Sequence, residues 1–155
     1  MMLKEGDTIP DLNLETPSGG QVSLRSFEGA PLVLYFYPKD DTAGCTRQAQ
    51  DFSQLLADFT AEGVAVLGVS KDTPAKHLKF IEKYDLLVQL ATDTEGAALE
   101  AFGSWGEKQL YGRKYMGIDR STFLFDASGR LVRLWRKVRV PGHAAQVLEA
   151  VRELG

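Results

Sequence analysis

Pro31-Leu32-Val33-Leu34-Tyr35-Phe36-Tyr37 runs directly into Pro38-Lys39-Asp40-Asp41-Thr42-Ala43-Gly44-Cys45, and a second apolar run, Val64-Ala65-Val66-Leu67-Gly68-Val69, follows one helix length later. Runs of this kind, without polar alternation, are expected of strands covered on both faces. Between them Cys45, Ala49, Phe52, Leu56 and Phe59 fall on one helical face, so the spacing predicts a helix from about Thr42 to Glu62, ended by Gly63. Strand, helix and strand then make a right-handed parallel crossover.

On the amino-terminal side, Leu12 and Leu14, the turn Pro17-Ser18-Gly19-Gly20, and Val22 and Leu24 predict a β-hairpin. On the carboxy-terminal side, Asp72-Thr73-Pro74 opens a helix running to about Tyr84, with Leu78, Ile81 and Tyr84 at helical spacing. Val88 to Ala91 reads as a short strand, and Asp93 or Thr94 caps a helix that carries Ala98, Leu99 and Phe102 and closes at Gly103. Residues 104 to 118 read as an irregular stretch containing Trp105, Leu110, Tyr111, Tyr115 and Met116. Ser121 to Phe125, the turn at Asp126-Ala127-Ser128-Gly129, and Leu131 to Val138 predict a second hairpin. Val147, Leu148, Val151 and Leu154 mark a terminal helix. The sum is an α/β chain, a mixed central sheet flanked by helices with an N-terminal β-hairpin, and its order resembles a thioredoxin-like fold.

At 155 residues, residues 1–155 are expected to form one domain, burying about 70% of the surface the unfolded chain exposes. The composition, 44% hydrophobic and 25% charged, indicates neither disorder nor a fibrous class. A formal net charge of -3 argues against a nucleic-acid partner, which demands a concentrated basic surface. Arg130, Arg133, Arg136, Lys137 and Arg139 alternate with Leu131, Val132, Leu134 and Trp135, as on the wet face of a strand. The start, Met1-Met2-Leu3-Lys4-Glu5, lacks the apolar stretch of a signal peptide, and no run approaches a membrane span. A soluble, cytoplasmic protein is expected. His77 and His143 have no ligand-like neighbours and read as surface or helix-terminus residues; no metal or cofactor site is expected.

Cys45 is the only cysteine. Alone it makes no internal disulfide, and a free thiol is easiest to reconcile with a reducing cytosol. An ordinary thiol, with a pKa of roughly 8.5, is mostly protonated at neutral pH. The unpaired N–H groups and positive dipole end of a first helical turn favour the thiolate. From spacing alone two readings stand side by side: a nucleophile at a helix start, and a small buried hydrophobe on a core stripe.

Pro38-x-x-x-Thr42-x-x-Cys45 resembles the active-site motif of peroxiredoxins, and the string from Tyr37 to Thr46 is similar to that of the bacterioferritin comigratory protein (PrxQ) subfamily. Trp105-Gly106-Glu107-Lys108 and Gly117-Ile118-Asp119-Arg120-Ser121-Thr122-Phe123-Leu124 are similar to the subfamily's downstream region, so the resemblance extends along the chain. It implies a thiol-specific peroxidase that reduces hydrogen peroxide and organic hydroperoxides through a cysteine sulfenic acid. It also implies roles. Cys45 attacks the peroxide, Arg120 supplies permanent positive charge and forked donors, Thr42 holds the peroxide, and the Gly44 and Cys45 N–H groups face the reacting oxygens. Pro38 limits solvent around the sulfur without competing for its hydrogen bonds. The residues themselves leave rivals open: Thr42 as a plain helix cap, Arg120 paired with a structural carboxylate, Pro38 as a strand terminator. Asp40 and Asp41 are expected to point to solvent or to bind Lys39 or Arg47, since carboxylates near sulfur oppose its ionisation.

Many members of the subfamily carry a resolving cysteine five residues after the first; here that residue is Gln50, and the following helix has none. An external thiol, thioredoxin, glutaredoxin or a low-molecular-weight thiol such as glutathione, must then recycle Cys45 in a one-cysteine mechanism. A monomer is expected. The alternative is a thiol-based peroxide sensor or redox relay that hands a mixed disulfide to a partner. A thioredoxin-like disulfide exchanger is disfavoured by the absence of Cys-x-x-Cys.

Overall fold

The computed structural model describes residues 3–154; Met1, Met2 and Gly155, and with the first two the opening of the expected leaderless start, lie outside the described residues. The chain enters through the expected hairpin, β1 (Asn13–Glu15) and β2 (Gln21–Ser23), followed by a single 3-10 turn at Leu24–Phe27. Next come β3 (Leu32–Phe36), α1 (Ala43–Ala61), β4 (Ala65–Ser70), α2 (Pro74–Tyr84), β5 (Gln89–Thr92) and α3 (Ala97–Phe102). The remainder is β6 (Trp105–Leu110), β7 (Arg113–Ile118), β8 (Ser121–Phe125), β9 (Leu131–Trp135) and α4 (His143–Arg152).

Seven strands form one mixed sheet in the order β2-β1-β5-β4-β3-β8-β9. β3 lies between β4, which is parallel to it, and β8, which is antiparallel. Its side chains therefore divide between two cores. Val33, Tyr35 and Tyr37 join Cys45, Phe52 and Val147 on the face covered by α1, α2 and α4, while Leu32, Leu34 and Phe36 join Phe102 and Phe123 on the other. Gly68 makes this packing possible: a Cβ there would lie 2.6 Å from Tyr35 Cζ.

The stretch 104–118, read as irregular, is instead the antiparallel hairpin β6–β7, forming its own two-stranded sheet. Its turn residues Tyr111 and Gly112 have φ of 52° and 77°, the left-handed pair that a two-residue hairpin requires. A tyrosine in the first turn position hides that signal, because Asn, Asp or Gly usually stands there. In α2 the buried residues are His77 and Phe80, with Ile81 and Tyr84 packed beside them, whereas Leu78 is 51% exposed. The stripe is the expected one turned by a residue, with a histidine in an apolar place. α3 is capped by backbone at Gly96, and Asp93 serves it from outside by accepting from Ala98 N–H and Leu99 N–H. Leu154, expected on the core stripe of α4, lies beyond the helix and is exposed. β9 stops at Trp135, and Arg136 turns inward, donating to the carbonyls of Leu3, Phe102 and Gly103 rather than joining a wet face.

Candidate active site

Cys45 is the third residue of α1, after Thr42 at the N-cap and Ala43 and Gly44 in the first turn. The first backbone bond of the helix runs from Thr46 N–H to Thr42 O, at 2.9 Å, so the N–H groups of Ala43, Gly44 and Cys45 have no intrahelical acceptor. The Thr42 hydroxyl does not cap them. It donates to Lys39 O at 2.8 Å, which excludes the side-chain-cap reading and leaves its lone pairs free to accept.

Cys45 is both a core residue and a partner of a guanidinium. The residue is 1% exposed and packs in the core with Ala49 and Phe52, yet its Sγ lies 3.2 Å from Nη2 of Arg120, which donates to it. Arg120 precedes β8 and forms no ion pair with a carboxylate among the described residues. Its Nη1 donates to Gln48 Oε1 at 2.5 Å. Because guanidinium only donates, the amide oxygen of Gln48 must face it. Gly44 gives the guanidinium room, since a Cβ there would stand 3.3 Å from Nη2. The arginine backbone is held as well: Arg120 O accepts from Val138 N–H, Asp119 N–H donates to Ser104 O, and the Ser104 and Ser121 hydroxyls meet at 2.6 Å. Pro38 is exposed just past β3, beside the buried Tyr37.

The loop before α1 is anchored by groups that sequence reasoning assigned elsewhere. Asp40 is buried rather than solvent-facing, accepting from the Tyr37 hydroxyl at 2.5 Å and lying 2.7 Å from His77 Nδ1. His77 is 0% exposed, not a surface residue. Its Nε2 meets Ala91 O at 3.1 Å; a carbonyl only accepts, so Nε2 carries a proton, and a further proton must lie between Nδ1 and Asp40. The pair is thus neutral overall, either as an ion pair or as imidazole with carboxylic acid. Burial first, then the charge of Asp40, holds the Tyr37 hydroxyl well above the ordinary tyrosine range. Asp40 N–H donates to Asp72, which also accepts from the Ser70 hydroxyl. Asp41, at a φ of 60°, binds Lys83 at 2.8 Å and the Tyr84 hydroxyl at 2.5 Å, not Lys39 or Arg47. Arg47 pairs instead with Asp51. Lys83 and Tyr84 hold the Asp41 carboxyl below the usual range, the ammonium being the larger cause.

His143, the first residue of α4, is also buried. Its Nε2 meets the Thr122 hydroxyl at 2.8 Å, and Phe52 and Trp135 pack edge-on against the ring. Burial pushes its pKa down to about 4, with the charge of Arg120 acting in the same direction against a Gln146 hydrogen bond. Of the expected surface or helix-terminus positions, His143 takes the second, at the start of α4 but buried, and His77 is buried inside α2; neither burial is announced by an apolar run around the residue. The one signal for Gln48 is its spacing of three from Cys45 on the same helical face, which a core stripe shares.

A model of the AhpC/TSA family matches residues 6–134. The chain is 44% identical to peroxiredoxin Bcp of Bacillus subtilis, over 99% of this chain and 98% of that protein. It is 39% identical to peroxiredoxin Bcp of Escherichia coli, over 97% of each. Among solved structures, the Xanthomonas campestris bacterioferritin comigratory protein, studied for its alkyl peroxide reduction activity, superimposes with a TM-score of 0.89 at 42% identity, covering 95% of this chain and 98% of that one. A thioredoxin-like sheet, a lone cysteine at a helix start under an arginine, and near-full-length similarity agree: this chain belongs to the AhpC/TSA family, among its Bcp/PrxQ peroxiredoxins.

Proposed function

We propose that Cys45 is the nucleophile of a thiol-dependent peroxidase that completes its cycle with one cysteine of its own. The observation that carries this assignment is the 3.2 Å contact between Arg120 Nη2 and Cys45 Sγ at the open N-terminus of α1. The thiolate attacks one peroxide oxygen; the S–O bond forms as the O–O bond breaks, and the departing oxygen leaves with the electron pair and is protonated to water or alcohol. Negative charge moves from sulfur to that oxygen, and Arg120 with the free N–H groups of Gly44 and Cys45 is placed to stabilise it at both ends. The Thr42 hydroxyl, its proton engaged by Lys39 O, accepts the peroxide O–H. Pro38 keeps water from the approach.

Cys45 sulfenic acid then condenses with an external thiol, releasing water and forming a mixed disulfide. A second thiol exchanges with it, freeing Cys45 and a disulfide product. Thioredoxin, glutaredoxin and low-molecular-weight thiols are the reductants proposed, for a monomeric, single-domain protein in a reducing cytoplasm. Among the described residues no helix is long and apolar enough to cross a membrane, and no group of three His, Cys, Asp or Glu is placed to hold a metal. Stopped-flow peroxide consumption run in parallel with thioredoxin, glutathione and dithiothreitol tests the assignment. Sustained turnover with at least one thiol, lost in Cys45→Ser, is expected. A single stoichiometric oxidation without turnover would reassign the protein as a peroxide sensor.

A further inference from the structure

We propose that the cavity between the active-site loop and α2 binds the carboxylates of an anionic low-molecular-weight thiol, the molecule that regenerates Cys45. The inference rests on the reading of Cys45 as a thiol reduced from outside. The cavity measures about 370 Å³, and Lys39 from the loop and Lys76, Lys79 and Lys83 from α2 line it around Phe80. That volume is within the roughly 300–1,000 Å³ of small-molecule sites.

Its charge is unbalanced. Lys83 is neutralised by Asp41, but Lys39, Lys76 and Lys79 form no ion pair among the described residues. Of the other lining carboxylates, Asp40 is engaged by His77 and Tyr37, while Asp72 accepts only from neutral donors, Asp40 N–H and the Ser70 hydroxyl, and keeps its charge, so the four lysines still outnumber the carboxylates. Lys76, Lys79 and Lys83 stand three and four residues apart on one helical face, where like charges repel. Such a cluster is unfavourable in the free protein, on a chain of net charge -3, and a bound anion relieves it. A cavity of about 320 Å³ on the β1–β5 side carries the opposite sign, with Glu15, Asp93 and Glu95 in its lining.

The cavity also adjoins the chemistry. Lys39 O accepts the Thr42 hydroxyl, and Cys45 follows one helical turn later. A peroxide, small and uncharged, gains nothing from three free ammonium groups. A thiol bearing carboxylates gains attraction at one end while its sulfur reaches the sulfenic acid, whose oxygen leaves as water when the S–S bond forms.

The test compares wild type with the double variant Lys76→Gln, Lys79→Gln, both positions being exposed, in steady-state peroxide reduction with glutathione and with uncharged 2-mercaptoethanol. The apparent KM for glutathione should rise about tenfold, two exposed charge contacts being lost, and that for 2-mercaptoethanol should stay within about twofold. Added salt should raise the glutathione KM more in wild type than in the variant, where Lys39 remains, and unreactive S-methylglutathione should compete about tenfold less well in the variant. Equal losses with both thiols, an unchanged glutathione KM, or a wild type that turns over with 2-mercaptoethanol and not with glutathione would overturn the proposal. A wild type whose Cys45 is not oxidised by one equivalent of peroxide would instead strike the reading beneath it.

Discussion

Arg120 reaches Cys45 Sγ with one arm of its fork and Gln48 Oε1 with the other. In the proposed cycle its charge stabilises the anion on Cys45, and Gln48 aims that charge. Arg120→Ala should slow sulfenic acid formation by about a hundredfold to a thousandfold, the usual cost of removing a preorganised donor from an anionic transition state, and should move the thiol alkylation profile to higher pH. An unchanged profile in an iodoacetamide titration would remove Arg120 from this role. Gln48 touches no reacting atom and acts by positioning. Gln48→Ala should lower the peroxide rate tenfold or more, on the order of what misplacement of a catalytic group costs, whereas Gln48→Glu keeps the fork held but sets a carboxylate near the sulfur and should move the thiol alkylation profile to higher pH. An alkylation profile unchanged in both variants would mark Gln48 as packing only. The motif around Cys45 and the segment holding Arg120 were legible in the sequence because they are short strings of distinctive chemistry. Gln48 was not, because a spacing of three on one helical face describes a core stripe equally well. Asp40, expected in solvent, was misplaced for a related reason: its partner His77 lies 37 residues away, and no local pattern announces such a pair.

At the scale of elements, the site is a junction whose parts are pinned from two sides. The loop before α1 is tied to α2 through His77, Lys83 and Tyr84, and β8 is tied to α4 through Thr122 and His143. His77→Gln leaves buried Asp40 and Ala91 O without the ring that bonds both, and should cost about 1–3 kcal/mol, the penalty for a buried polar group left unsatisfied; urea unfolding at pH 7 reads it. His143 gives a pH dependence with a definite sign. Burial holds its folded pKa at about 4, against the ordinary histidine value of 6.5, so the unfolded chain binds the extra proton first on acidification. Stability should therefore be undiminished above pH 6.5 and fall between pH 6.5 and 4, by up to about 3 kcal/mol. The same titration with His143→Gln should show a shallower slope across that window, and parallel slopes would refute the link. The central strands and α1 were readable because continuous apolar runs and a helical stripe leave few alternatives. The β6–β7 hairpin was not. It stands outside the main sheet with Leu110, Tyr111, Tyr115 and Met116 exposed, so no buried face imposed a period-two pattern on its sequence.

The whole molecule holds one sulfur able to change oxidation state reversibly through a thiol, and its position decides the fate of the protein after each turnover. Cys45 is seated in the core beneath Arg120, so a small peroxide and a bulkier thiol face different barriers. The mixed disulfide, the larger adduct, needs more room than the sulfenic acid, and the first turn of α1 must give it. Amide exchange at Ala43 to Arg47 should accordingly speed up in the glutathione mixed disulfide relative to the reduced protein. No second cysteine in the chain can intercept the sulfenic acid, and Arg120, proposed to assist the first attack, remains in place for another. With excess peroxide and no thiol, each molecule should consume one equivalent quickly and then convert to the sulfinic acid, detected by mass spectrometry as the addition of two oxygens confined to the peptide containing Cys45, with permanent loss of activity. Thiol supplied before the peroxide should prevent that conversion, while thiol supplied afterwards should not reverse it. Recovery of full activity on late addition would mean that oxidation stops at the sulfenic acid, and that burial of Cys45 shields the oxidised sulfur instead of exposing it to a second attack.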